Sequence, residues 1–131
     1  MKYGENTSVA IEQTATQIVE ACYKVHRVLG PGLLESVYQA CLEHELLKKE
    51  CEVASQTQIP LFYDGTELKL DFRLDLLINN NVIIEVKSVE KMHPIFEAQA
   101  LTYLKLTGKR LCFLVNFNVP LIKDGIKRIV L

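Results

Sequence analysis

Two carboxylates and one amine stand close together in the chain, and such side chains can bind a divalent cation and assist the chemistry beside it. Asp75 lies in a mostly apolar run, and Glu85 and Lys87 follow in the triplet Glu-Val-Lys. Side chains alternate between the two faces of a β-strand, so Glu85 and Lys87 share one face. The asparagines at residues 79–81 tolerate the left-handed backbone of a turn. The segment therefore predicts a β-hairpin with the components of a metal site.

The register of this hairpin decides whether the two carboxylates meet. A turn centred on Asn80 places residues whose numbers sum to 160 opposite one another, which pairs Asp75 with Glu85 and Arg73 with Lys87. Both carboxylates leave the sheet on the same face only if the loop has an odd number of residues or contains a bulge. Like charges in such contact destabilise a sheet by about 0.2–1 kcal/mol, and a bound cation would reverse the sign of that contribution.

An interpretation without a metal stays open at this point. Charges alternate in sign at every second position from Glu67 to Asp75, which is typical of a solvated antiparallel face. Arg73 and Lys87 could then neutralise Asp75 and Glu85 without any ion. An Asp followed by a Glu-x-Lys triplet is also common by chance, so the hairpin alone favours the solvated face.

Length and composition predict one ordinary globular domain over residues 1–131. The chain is 49% hydrophobic and 24% charged, which suits a domain with a single core. No apolar run approaches the ~20 residues of a membrane span, and residues 1–6 lack a signal-peptide core, so we expect a cytoplasmic protein without a membrane partner. The cysteines have no zinc-binding spacing and are expected to be reduced core residues. They are Cys22, Cys41, Cys51 and Cys112.

The net charge of −1 argues against strong nonspecific binding to nucleic acid, yet the charge is unevenly distributed. Residues 105–131 carry six basic side chains against one Asp, a net of +5, which leaves −6 for residues 1–104. The basic end either contacts phosphate groups or forms a solubilising surface, and charge alone does not choose between these alternatives. The basic residues are Lys105, Lys109, Arg110, Lys123, Lys127 and Arg128.

The periodicity of apolar residues predicts the elements that position the hairpin. Helical spacing before and after Gly30-Pro31-Gly32 gives way to a period of two from Ser55 onward. Asp64-Gly65 predicts a tight turn, and Pro60 predicts an edge strand or a bulge. The order is α-α-β-β-β-α-β-β. The predicted helices cover residues 8–29, 33–49 and 94–106, and the predicted strands cover residues 56–63, 67–78, 82–87, 111–116 and 126–131.

Two further motifs lie on the helices that flank the hairpin in sequence. Residues 32–38 fit GxxExxY at the start of the second helix, with Glu35 and Tyr38 at its fixed positions. Residues 99–103 fit QxxxY on the third helix. Together with Asp75 and the Glu85-Val86-Lys87 triplet, these motifs make the chain resemble the GxxExxY family of small bacterial and archaeal proteins, a branch of the PD-(D/E)xK nuclease superfamily. The resemblance covers about residues 18–131 and depends on all four motifs in this order.

This resemblance implies an α/β, restriction-endonuclease-like fold with a central mixed sheet flanked by helices. It also implies a Mg²⁺- or Mn²⁺-dependent deoxyribonuclease in DNA repair or processing. By position, Asp75, Glu85 and the Val86 carbonyl would bind the metal. Lys87 would orient or deprotonate the attacking water, or stabilise the pentacovalent phosphate. Mg²⁺ prefers oxygen ligands and keeps several waters, so two carboxylates and a substrate phosphate are sufficient to hold it.

The helix residues Glu35, Gln99 and Tyr103 match positions that superfamily members place beside the active site, yet each also has a structural explanation. Glu35 could merely complement the dipole of its helix, at about 0.3–1 kcal/mol. Gln99 and Tyr103 are polar groups on an apolar stripe and need partners, which the acidic cluster would supply. Tyr38 is expected to be a core aromatic residue with its hydroxyl group satisfied.

The alternative function for the whole chain is a catalytically silent nuclease fold that binds nucleic acid or a protein partner. Every position of the implied site carries the expected residue type, which favours activity. The acidic balance favours weak DNA binding or the help of a partner, either a second copy in a homodimer or an accessory protein.

Overall fold

A five-stranded mixed sheet forms the centre of the fold, and helices cover both of its faces. The computed structural model describes residues 7–131, so the expectation about a signal-peptide core in residues 1–6 lies outside the described residues. The helices are α1 (Val9–Leu29), α2 (Glu35–Lys48) and α3 (Ile95–Thr107). The strands are β1 (Val53–Gln58), β2 (Leu61–Tyr63), β3 (Thr66–Leu68), β4 (Arg73–Ile78), β5 (Val82–Lys87), β6 (Leu111–Asn116) and β7 (Ile126–Val130).

The central sheet has the strand order β1-β4-β5-β6-β7. Neighbouring strands are antiparallel except β5 and β6, which are parallel and are connected through α3. A parallel connection needs a long crossover, and a helix is the usual one. This arrangement confirms the predicted α/β class with a central mixed sheet and flanking helices.

Two hydrophobic layers lie on the two faces of the sheet. The larger layer joins α1 and α2 to the sheet and contains Ile84 and Val86 of β5. The smaller layer joins α3 to the opposite face and contains Ile83 of β5. Because side chains alternate along a strand, Glu85 and Lys87 lie on the same face as Ile83, which is the face covered by α3.

The predictions of unbroken strands over residues 56–63 and 67–78 are wrong, because each of these segments is interrupted. β2 and β3 pair only with each other and form a separate hairpin, whose turn at Asp64-Gly65 is confirmed by φ angles of 53° and 75°. Pro60 has no N–H to donate and breaks the strand at the predicted place. Phe62 and Tyr63 are 61% and 72% exposed, so this hairpin lacks a core that would join it to the central sheet.

The buried side chain of Tyr38 fixes the loop between α1 and α2. The hydroxyl group of Tyr38 donates to the Gly30 carbonyl at 2.6 Å and accepts the Leu33 N–H at 3.1 Å, and its ring stacks on Phe117 at 4.5 Å. This confirms the prediction of a core aromatic residue.

All four cysteines are free, and three of them are buried, whereas Cys41 is only partly buried. Among residues 7–131, no helix has the length and apolar character needed to cross a membrane.

Candidate active site

The hairpin of β4 and β5 has the predicted register. Leu76 pairs with Ile84, and Ile78 pairs with Val82, so the residue numbers sum to 160 as expected. The loop at residues 79–81 has an odd number of residues, and Asn79 and Asn80 adopt left-handed φ angles of 51° and 54°. The same register, continued by one residue, places Asp75 opposite Glu85 on the face covered by α3.

Each of the two carboxylates accepts a backbone hydrogen bond from the strand of the other. Glu85 Oε2 accepts the N–H of Asp75 at 2.9 Å, and Asp75 Oδ2 accepts the N–H of Val86 at 2.8 Å. These bonds lie beyond the last regular pair of β4 and β5, between Leu76 and Ile84. The carboxylates therefore act as acceptors for backbone N–H groups beyond the end of the ladder. Each carboxylate also has a second oxygen atom that takes no part in these two bonds.

Glu85 is a buried acid whose ionisation is opposed by its surroundings. It is 7% exposed. Burial raises the pKa of Glu85 to about 8, and the charges of Asp75 and Glu35 act in the same direction. The Asp75 N–H and the charge of Lys87 act in the opposite direction but do not offset burial. A positive charge placed beside the carboxyl group would favour its ionised form.

The solvated-face interpretation is wrong for the acidic pair, because Glu85 is 7% exposed. It is right for the charged residues that precede the pair, which are all exposed: Glu67, Lys69, Asp71 and Arg73. None of the ion pairs within residues 7–131 involves Asp75 or Glu85. Arg73, the proposed neutralising partner, instead pairs with Asp71 at 2.6 Å. The Lys87 ammonium lies 4.4 Å from the ring centroid of Phe96 on α3. The two acids thus share a mostly buried position without a direct cationic partner from the described chain.

The two flanking helices bring different groups toward the acids. Glu35 is exposed in the first turn of α2 and acts on Glu85 through its charge. Tyr103 of α3 is half-buried, packs edge-on against Phe72 at 5.2 Å, and has a pKa raised by burial and then by the charges of Glu85 and Asp75. Gln99 is exposed one turn earlier on α3, and the structure gives it no hydrogen bond to the acids.

Two amide side chains at this site were missed by the sequence analysis. Gln39 of α2 donates through Nε2 to the Asp75 carbonyl at 3.2 Å. Asn116, 3% exposed at the end of β6, accepts the Val89 N–H at 3.1 Å and donates to the Val89 carbonyl at 3.0 Å. It is aligned with Lys87 in the sheet. Gln39 lies four residues after Glu35 and therefore on the same helix face, which was the available signal.

The donor atoms at the site suit a hard cation bound through oxygen. Within residues 7–131 there is no group of three or more His, Cys, Asp and Glu side chains that could hold a metal alone. Val86 directs its N–H toward β4, and the N–H and C=O groups of one strand residue point to the same side, so its carbonyl also faces β4. Two carboxylates and a carbonyl match the needs of Mg²⁺, which keeps several waters, better than those of zinc.

The basic end of the chain does not form one surface. Lys127 pairs in register with Leu114, the neighbour of Glu85, and its ammonium contacts Glu97 of α3 at 2.6 Å. Arg128 points to the other face of the sheet, where it forms a partly buried ion pair with Glu12 of α1. That contact is also the main cause of the lowered pKa of Glu12. Arg128 therefore stabilises the packing of α1 on the sheet.

Comparison with known proteins agrees with this geometry. A family model described as the PD-(D/E)XK nuclease superfamily matches residues 12–129, a range that contains every site residue named above. No match is found among curated proteins or solved structures. The five-stranded mixed sheet with flanking helices is the restriction-endonuclease-like fold, and the acidic pair followed by Lys87 stands on its central hairpin. The chain belongs to the PD-(D/E)XK nuclease superfamily.

Proposed function

We propose that this protein is a Mg²⁺- or Mn²⁺-dependent nuclease of the GxxExxY branch that hydrolyses phosphodiester bonds in DNA. Membership of the superfamily supports a nuclease-type function, and nucleases of this superfamily typically use divalent metals. The observation that carries the more specific assignment is the acidic pair formed by the buried Glu85 and the partly buried Asp75. Nothing in the described chain pairs directly with this charge, and burial makes it costly.

Asp75 and Glu85 would hold the metal with the carbonyl of Val86 as a third ligand. When bound, a divalent cation lowers the pKa of water and offsets the negative charge that develops on phosphate. The carboxylates are held in place beforehand by the N–H groups of Asp75 and Val86. Fixed ligands of this kind need little rearrangement when the substrate arrives.

Lys87 would act next to the reacting phosphate. Its aliphatic chain extends from the same face of the sheet as the side chain of Glu85. Its ammonium group lies over the ring of Phe96. A contact of this type is worth about 0.5–1 kcal/mol when partly exposed, so it is weak enough to be exchanged for a substrate phosphate. From there Lys87 would orient or deprotonate the attacking water, or stabilise the pentacovalent phosphate.

The helix residues would act around this centre. The hydroxyl group of Tyr103 is protonated near neutral pH, and burial raises its pKa further, so it can donate a hydrogen bond to a phosphate oxygen. Gln99, one turn away, offers an amide at the exposed side of the same helix. Glu35 would accept a hydrogen bond from a water molecule between α2 and the acids.

We propose further that the protein acts in DNA repair or processing in the cytoplasm, where thiols such as the four free cysteines stay reduced. The net charge of −1 gives little general attraction to DNA, and Arg128 is engaged with Glu12. A second copy or an accessory protein would supply the missing basic surface.

A cleavage assay with matched variants tests this proposal. Single-stranded, duplex and branched DNA are incubated with the purified protein and Mg²⁺ or Mn²⁺, and metal binding is followed by calorimetry. Lys87→Ala should reduce cleavage by about 10²–10⁴-fold while metal binding remains. Lys109→Ala is the control, because Lys109 lies near Asn80 at the opposite end of the hairpin and the change in net charge is identical.

Asp75→Asn, purified in parallel, should lose both metal binding and cleavage and thereby excludes a contaminating nuclease as the source of activity. If the wild type cleaves none of these DNA forms and gives no heat of metal binding, the catalytically silent alternative replaces the enzyme.

A further inference from the structure

Gln39 connects three elements at the acidic pair. Its Nε2 donates to the carbonyl of Asp75 on β4 at 3.2 Å, and its Oε1 accepts from Nε2 of Gln56 on β1 at 3.2 Å. Gln39 itself is carried by α2, four residues after Glu35. A single amide group therefore links α2, β1 and β4 at the residue that supplies one of the two carboxylates.

The strands are irregular at this same point. Ser55 pairs with Leu76, and Thr57 pairs with Leu74, but Gln56 and Asp75 between them do not pair. Gln56 has a φ of 49°, a strained value for a residue other than glycine. This gap leaves the backbone of Asp75 without its expected partners in β1.

Side chains satisfy the backbone groups of Asp75 instead. Its N–H donates to Glu85 on the α3 face, and its carbonyl accepts from Gln39 of α2. The alternation of side chains also changes here, because Leu74 packs in the α3 layer whereas Leu76 packs in the layer of α1 and α2. The strand therefore twists at Asp75, and Gln39 holds one side of the twisted peptide.

We infer that Gln39 is a positioning residue that holds Asp75 in its metal-binding orientation, an inference that rests on the proposed nuclease function for its catalytic consequence. Without the amide of Gln39, the carbonyl of Asp75 loses its partner and the peptide can turn back toward β1. That movement would loosen the bond from the Asp75 N–H to Glu85 and the bond from the Val86 N–H to the Asp75 carboxylate, so the two carboxylates would no longer be held in place.

Three variants test this inference. Gln39→Met has a similar length and neither hydrogen bond. Gln39→Glu keeps an acceptor for Gln56 but cannot donate to Asp75. Gln13→Met is the matched control, since Gln13 is exposed on α1 beside Asn79 and Asn81, at the far end of the hairpin.

The first measurement is amide hydrogen exchange in the metal-free protein. Exchange at Asp75 and Val86 should be about 10-fold faster in both Gln39 variants than in the wild type and the control, with the rest of the sheet unchanged. The second is calorimetric affinity for Mg²⁺ or Mn²⁺, which should fall about 10–100-fold, as for other residues that orient metal ligands. Cleavage should then recover in part as the metal concentration is raised.

Exchange rates at Asp75 and Val86 that match the control would overturn the inference, whatever the activity. If Gln39→Met fails to fold, Gln39→Glu decides by the same criterion. A wild type that neither binds metal nor cleaves DNA would refute the proposed function. In that case faster exchange in the variants would still establish that Gln39 positions Asp75, so the two failures are distinguishable.

Discussion

Replacing Glu85 by Gln isolates the cost of charge burial at the site. Gln has nearly the same size and keeps an oxygen that can accept the N–H of Asp75, as Oε2 of Glu85 does at 2.9 Å. It cannot ionise. The folded protein raises the pKa of Glu85 from 4.5 to about 8, first through burial and then through the charge of Asp75. The variant and the wild type should therefore differ mainly in how their stability depends on pH.

The direction of this dependence follows from proton release. Below pH 4.5 the carboxyl group is protonated in both the folded and the unfolded state, and its contribution to stability is fully present. Between pH 4.5 and about 8 only the unfolded state releases the proton, so the free energy of unfolding of the metal-free protein falls as pH rises. Each unit of pKa corresponds to about 1.4 kcal/mol, which sets an upper limit of about 5 kcal/mol. Partial entry of water reduces the cost of the buried charge. We therefore expect the free energy of unfolding to fall by about 2–5 kcal/mol as the pH rises to about 8.

The assay is denaturant unfolding in the presence of a chelator at pH values from 5 to 8.5. Groups shared by both proteins cancel in the difference, so wild type and Glu85→Gln should have similar stability near pH 5 and diverge as pH rises. The slope of free energy against denaturant should stay constant, which shows that the folded states remain comparable. Glu67→Gln serves as the control because Glu67 is exposed on β3.

Adding Mg²⁺ gives the second half of the experiment. At about 100 times its dissociation constant, a ligand that binds only the folded state adds about 2.7 kcal/mol, and the wild type should regain this much near pH 8. Glu85→Gln should gain much less because a metal ligand is missing. Parallel pH profiles for the two proteins, with equal responses to Mg²⁺, would refute the assignment of Glu85 as a buried acid at a metal site.

Three further predictions concern other parts of the site. Asp75→Asn should raise the metal-free stability near pH 8, since it relieves the repulsion of Glu85 and keeps an acceptor oxygen; equal or lower stability by denaturant unfolding would contradict this. A Cβ atom on Gly125 would lie 2.1 Å from the carbonyl oxygen of Asn116, so Gly125→Ala should cost about 1–3 kcal/mol or more in thermal unfolding. The same change should also reduce cleavage, because Asn116 is aligned with Lys87 in the sheet. Lys127→Gln should weaken DNA binding and flatten its salt dependence, whereas Arg128→Gln should mainly lower stability; identical effects of both changes on binding would be inconsistent with their opposite faces.

The hairpin of the site could be predicted because its information is local. Alternating apolar residues and the asparagines at 79–81 together determine the register, and one residue of slippage would have moved the acids to the other face. Asn79 and Asn80 adopt the left-handed backbone that these side chains tolerate. The pairing of Leu76 with Ile84 needed no knowledge of distant residues.

The burial of Glu85 could not be predicted from the hairpin alone. Alternating charges from Glu67 to Asp75 are typical of a solvated face, and most of these residues are indeed exposed. Only the packing of α3 shows that the face of β5 that carries Glu85 is covered. The division of the long strands has a similar cause. Pro60 marked an irregularity, but whether β2 and β3 join the central sheet depends on partners far away in sequence.

The location of the site at the end of the β4–β5 ladder has a physical reason. In a regular sheet every backbone N–H and carbonyl belongs to a neighbouring strand, so none is available to hold a side chain or a ligand. Here the regular pairs stop at Leu76 and Ile84, which leaves the N–H of Val86 free to fix the Asp75 carboxylate. The irregularity at Gln56 leaves the N–H and the carbonyl of Asp75 available in the same way, and the N–H fixes the Glu85 carboxylate. The site therefore depends on a local loss of sheet pairing, which is why an amide from α2 is needed to hold it.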